Sequence, residues 1–207
     1  MRIIETTADV AEGATFLAAS CPRMAHAVEI SGPPPLRRRE DGFPALLNAI
    51  VSQQISVAAA AGIWARLEAA GLTTEEAVAA APEEALRAAG LSRPKAAYAR
   101  ALAASNLDYA ALRAAPEDEA VSTLTALPGI GRWTAEIYLM FAVGRADVFA
   151  PGDLALREAA RALYGLEARP AIPELERMAE AWRPWRAVAA RILFAYYRAI
   201  KGREGAT

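Results

Sequence analysis

Apolar residues recur at three- and four-residue spacing along nearly the whole chain, and no convincing alternating run of strand type interrupts them. Alanine, the strongest helix former, is abundant, and β-branched runs are short. The chain is therefore expected to be all-α. With 207 residues, 55% of them hydrophobic, it can bury a sizeable core. Pro33-Pro34-Pro35 and the basic run Arg37-Arg38-Arg39 read as a surface crossing that divides an N-terminal helical segment, 1–42, from a core at 43–207. Helices are expected to enter at Phe43, to run from about Ser56 to Ala70, to follow Thr73 and Pro82, and to extend from Arg93 to Leu107. Gly71 and Gly90 are natural stops. Further helices flank Leu127-Pro128-Gly129-Ile130-Gly131, the second reaching about Val143 with Trp133, Ile137, Met140 and Gly144 on one stripe. Another starts at Asp153 after Pro151-Gly152, and Pro184 opens the last, toward Lys201.

Several kinds of chemistry are closed to this sequence. Cys21 is the only cysteine and His26 the only histidine, so an internal disulfide and a four-cysteine metal cluster are excluded. His26 lies far from any nucleophile motif and reads as a surface or boundary residue. Chemistry is left to carboxylates, with no metal expected. No apolar run approaches the roughly 20 residues of a membrane span, and Met1–Glu5 turns polar too early for a signal peptide, so a cytoplasmic protein away from membranes is expected. The net charge of −1 gives no global basic signature. From Ala181 onward, however, Arg183, Arg186, Arg191, Arg198, Lys201 and Arg203 face only Glu204. That segment reads either as a face that tracks phosphates or as a salt-bridged, solvated helix.

The helix, Leu127–Gly131, helix arrangement is the most informative local feature. Two glycines around an apolar residue allow a tight hairpin whose N–H groups open toward an anion at the start of the second helix, although such turns also serve packing alone.

The run LPGIGRWTA at 127–135, then Asp147-Val148-Phe149 and Pro151-Gly152-Asp153, resembles the signature of the helix-hairpin-helix DNA glycosylases, in their alkylation-repair branch. Ala49–Ser56 (AIVSQQIS) resembles the loop this branch inserts into the minor groove, and Trp182–Arg186 (WRPWR) resembles its C-terminal helix. The likeness extends from about Phe43 to Tyr197 in the expected order and fits the compact form, without an extra N-terminal β-domain. It implies two packed helical lobes with the active-site cleft between them, a nucleoid-associated monomer, and double-stranded DNA containing alkylated bases as the partner.

Residue by residue, the resemblance makes Asp153, 22 positions beyond Gly131, the catalytic carboxylate, and its position after Pro-Gly also suits a helix N-cap. Glycosidic cleavage passes through an oxocarbenium-like sugar that such a carboxylate stabilises while it orients a water. Trp133 and Phe194 become base-stacking candidates, with core packing as the alternative for both. Ile137 stands where broad-range relatives place a tyrosine. Gln54 aligns with the residue that fills the hole left by the flipped nucleotide. Gly129, Gly131 and Thr134 would hold a phosphate without reading sequence. No cofactor is expected, although family members also place a monovalent cation on hairpin carbonyls.

Two rival functions separate cleanly. In the bifunctional glycosylase/lyase branch a Schiff-base lysine follows Gly-x-Gly by two positions, where this chain has Trp133; its only lysines, Lys95 and Lys201, lie outside the motif. A non-enzymatic helix-hairpin-helix DNA-binding module would need the Gly129–Thr134 anchor but not Asp153.

Overall fold

A computed structural model describes residues 1–204. The chain forms two compact units, one of residues 1–38 with 139 onward and one of Arg39–Tyr138. The N-terminal segment therefore groups with the C-terminal helices. Both units are helical, and among the described residues the one extended pairing is an isolated antiparallel bridge between Ile3 and Arg145.

In the first unit, α1 (Thr7–Ser20) opens on a capping box in which Thr6 and Asp9 satisfy each other's N–H groups. After α2 (Pro22–Ser31) the chain leaves this unit and returns at a π-turn, Leu139–Val143. Then come α11 (Leu154–Tyr164), α12 (Ile172–Ala179) and the long α13 (Arg186–Glu204). Helix α13 packs on α1, α2 and α11 around Leu17, Met24, Leu156, Val188 and Ile192, all buried. The π-turn breaks the expected stripe: Trp133 is exposed, whereas Met140 and Gly144 are buried. One extra residue in a turn rotates everything after it by about 100°.

The second unit contains α3 (Phe43–Ser52), α4 (Val57–Ala69), α5 (Glu75–Ala80), α6 (Glu83–Ala88), α7 (Arg93–Ala103), α8 (Tyr109–Ala114), α9 (Glu117–Thr125) and α10 (Arg132–Tyr138). Side chains of Ser56, Thr74, Ser92 and Asp108 cap four of these starts. Helix α7 ends at Ala103, four residues before Leu107, because Asn106 takes a left-handed conformation and Asp108 nucleates α8. A part-buried polar knot closes the unit. Asp41 accepts from Tyr138 Oη and from Arg113, and Tyr138 Oη accepts from Gly42 N–H at 3.3 Å. Burial first, and then the bond to Asp41, push the Tyr138 phenol well above its usual range.

The basic residues of the C-terminal segment do not form one face. Arg191 is fully buried and donates to the carbonyls of Leu36, Ala187 and Met140 at 2.8–3.1 Å. Its burial, reinforced by Arg37 and Arg38, lowers its pKa to about 10. Arg183 and Arg186 instead grip Asp147, at 2.6 and 3.0 Å. The side chain of Arg203 lies outside the described residues. His26 is exposed, 3.9 Å from Glu29, as its sequence context suggests.

Candidate functional site

In the second unit five of the sequence candidates, Gln54, Gly129, Gly131, Trp133 and Thr134, line one open groove of about 1000 Å³. The hairpin between α9 and α10 builds one wall. Ile130 is buried and its N–H closes the turn on Leu127 O (3.1 Å), while Ala135 N–H bonds Gly131 O (3.0 Å) at the start of α10. The two glycines have different reasons to be there. Gly129 has φ +83°, and a Cβ there would run into the ring of Tyr98, so the fold itself demands glycine. At Gly131 a Cβ would meet nothing within 4 Å and φ is not left-handed. Packing does not demand glycine at 131.

Trp133 is 45% exposed, an unusual state for a tryptophan beside a groove, and Thr134 is buried. Ile137, half-buried on α10, is not among the groove's lining residues. On the facing rim Gln54 is exposed with φ +56°, followed by the exposed Ile55. Sequence reasoning missed two neighbours here. Gln53 Nε2 donates to Gly129 O at 2.8 Å, and Lys95 Nζ donates to Val51 O and Gln53 O, each at 2.7 Å. The doubled glutamine, and one of only two lysines at the start of α7, were the signals available.

In the first unit Asp153 is the N-cap of α11, and its Oδ1 accepts from Ala155 N–H (2.8 Å) and Leu156 N–H (3.1 Å). The buried Pro151 precedes it, and the exposed Leu154 follows. Other carboxylates near the motif are held by arginines. Glu136 receives Arg132 at 2.8 Å, Asp147 is gripped as described, and Glu158 receives Arg161 at 2.9 Å and Arg169 at 2.5 Å. Phe194, half-buried on α13, tilts against Phe141 with ring centroids 6.3 Å apart and carries the Arg37 guanidinium 5.7 Å from its own centroid.

Residues 47–187 match the HhH-GPD superfamily of base excision DNA repair proteins. The chain belongs to that family. It is 32% identical over 163 residues to DNA-3-methyladenine glycosylase 2 of Escherichia coli, a match covering 72% of this chain and 55% of that protein. It spans about half the length of the curated relatives it matches first. Among solved structures it is similar to a Bacillus halodurans DNA-3-methyladenine glycosidase, with 34% identity, a TM-score of 0.79 and coverage of 91% of this chain and 89% of that one. It is also similar to the Schizosaccharomyces pombe 3-methyladenine DNA glycosylase Mag1 in complex with abasic DNA, with 26% identity, a TM-score of 0.77 and coverage of 88% and 95%.

For an HhH-GPD protein the hairpin is the natural place to ask about a bound ion. Among the described residues no group of three or more His, Cys, Asp or Glu side chains could hold a metal. The hairpin offers neutral carbonyls, a donor set suited to a weakly held monovalent cation, and Gly129 O already accepts from Gln53. Among the described residues no helix is long and apolar enough to cross a membrane.

Proposed function

We propose that this HhH-GPD protein is a monofunctional DNA glycosylase that flips alkylated purines of the 3-methyladenine and 7-methylguanine type out of double-stranded DNA and hydrolyses their N-glycosyl bond. The carrying observation is Asp153: the resemblance assigns it the family's aspartate position, and its Oδ1 accepts from two backbone N–H groups at the head of α11. A carboxylate oriented by backbone N–H groups is preorganised to face the cation that develops on the sugar.

The other parts follow from the same reading. The backbone at Gly129 and Gly131 holds a phosphate, with the buried Thr134 anchoring the first turn of α10, and this contact sets register on any sequence. Gln54, exposed at its tip, fills the hole that the flipped nucleotide leaves. Trp133 and Phe194 supply ring faces for the base, and Ile137 makes the pocket wall less aromatic than a tyrosine would. A cationic alkylated purine leaves without much acid assistance and gains roughly 0.5–2 kcal/mol from a ring face. The protein acts as a monomer and needs no cofactor in this mechanism.

Single-turnover excision on a panel of lesion-bearing duplexes, each product split with and without hot alkali, tests the proposal. Release of methylated purine with strand breakage only after alkali is expected. Breakage without alkali would indicate a lyase, and duplex binding with no base release would indicate a binding module.

A further inference from the structure

Helix α3 ends at Ser52, and its last carbonyls need partners. Two of the side chains that line the groove tie down this end of α3. Lys95 reaches from the first turn of α7 to Val51 O and Gln53 O, both at 2.7 Å, and Gln53 reaches the hairpin at Gly129 O, 2.8 Å away. The stretch 51–53 is thus clamped to α7 on one side and to the hairpin on the other. The very next residue, Gln54, adopts the left-handed conformation that any residue with a Cβ disfavours. Being half-buried, Lys95 has its pKa pushed down by desolvation, and the carbonyls replace some of the water it has given up.

We propose that Lys95 is a positioning residue which, together with Gln53, holds Gln54 in its left-handed turn and fastens that turn to the hairpin, so that phosphate anchor and plug meet the duplex as one preformed unit. The inference rests on Gln54 acting as the plug in the proposed glycosylase. Its chemistry is that of an electrostatic staple, because both donated bonds end on backbone carbonyls and neither on a reacting group. Preformed wedges matter only where a base pair has to be opened, and that property separates positioning from general support.

Single-turnover excision is to be measured for Lys95→Met on two duplexes of one sequence, the lesion lying opposite its normal partner in the first and opposite an abasic site in the second. The variant is expected to lose at least about tenfold more activity on the paired duplex than on the abasic-opposed one. Gln54→Ala should show the same discrimination, and the double variant should be no worse than Gln54→Ala alone, because the two residues act as one device. If Lys95→Met does not fold, Gln53→Met cuts the tie to Gly129 while leaving Lys95 on its carbonyls, and the same discrimination is expected of it. Equal losses on both duplexes, or additive losses in the double variant, would overturn the inference. A parent protein that excises from neither duplex would overturn the glycosylase reading first and this inference with it.

Discussion

The clearest quantitative consequence of the hairpin geometry lies in its two glycines, which should respond to the same substitution in opposite ways. In Gly131→Ala the new Cβ points into open space and the backbone needs no left-handed φ. The substitution therefore removes unfolded-state freedom without native strain and should stabilise the protein by about 0.4–1 kcal/mol. For a chain of this size that raises Tm by roughly 1–4 °C. In Gly129→Ala the Cβ meets the Tyr98 ring at φ +83°, and a loss of about 1–3 kcal/mol is expected instead. DNA binding should move the other way at 131. If a phosphate oxygen sits against the backbone there, a methyl group in that space costs a charge-assisted hydrogen bond, about 1.5–3 kcal/mol, or roughly ten- to a hundredfold in Kd. Thermal melting and fluorescence anisotropy on two unrelated duplexes at fixed salt measure both quantities. A more stable Gly131→Ala protein with unchanged affinity would refute the reasoning, because the glycine would then serve neither packing nor phosphate.

Three further outcomes are expected. Asp153→Asn keeps a good N-cap and should change stability by no more than about 1 kcal/mol, yet single-turnover excision should fall at least about a hundredfold, since charge facing an oxocarbenium is worth roughly 3–4 kcal/mol in a preorganised site; near-normal excision would reduce Asp153 to a cap. Borohydride should trap no covalent complex with DNA, because the resemblance puts Trp133 where a lyase would carry its lysine and Lys95 is held on two carbonyls; mass spectrometry of any adduct would name the exception. Asp147→Asn should remove the nearer counter-charge of the nearly buried Arg186, leaving Glu180 at 3.5 Å, and cost about 1–3 kcal/mol, seen as a fall of roughly 2–12 °C in Tm, and an unchanged melt would show that this ion pair adds nothing.

Where the sequence was legible, local chemistry and tertiary structure agree. Ser56 and Asp153 cap α4 and α11, and the hairpin closes through the local bonds of Ile130 N–H to Leu127 O and Ala135 N–H to Gly131 O. Where it was not, the deciding contact comes from far along the chain. The C-terminal arginines looked alike in sequence, but Arg191 is drawn inward by the carbonyl of Leu36, 155 positions away, and Arg186 by Asp147, 39 positions away. Neither α8 nor α12 has enough turns to show a period of its own, and the π-turn at 139–143 shifts a stripe that ideal geometry would have continued.

The same distinction explains why the sequence singles out Gln54 as a candidate plug and gives no such signal for Lys95. A plug projects outward, so its residue type is set by what it meets, and the motif around it shows at short range. A staple is defined by its acceptors, and Lys95 reaches carbonyls 42 and 44 positions earlier, which no local spacing encodes. A lysine that serves carbonyls has little freedom to serve as a nucleophile, because an amine must be released from both bonds and lose its proton before it can attack a sugar. The geometry that makes Lys95 useful to the wedge thus also argues against lyase chemistry from the one lysine that lines the groove. Under the proposed function the nucleophile is then water, with the Asp153 carboxylate proposed to orient it.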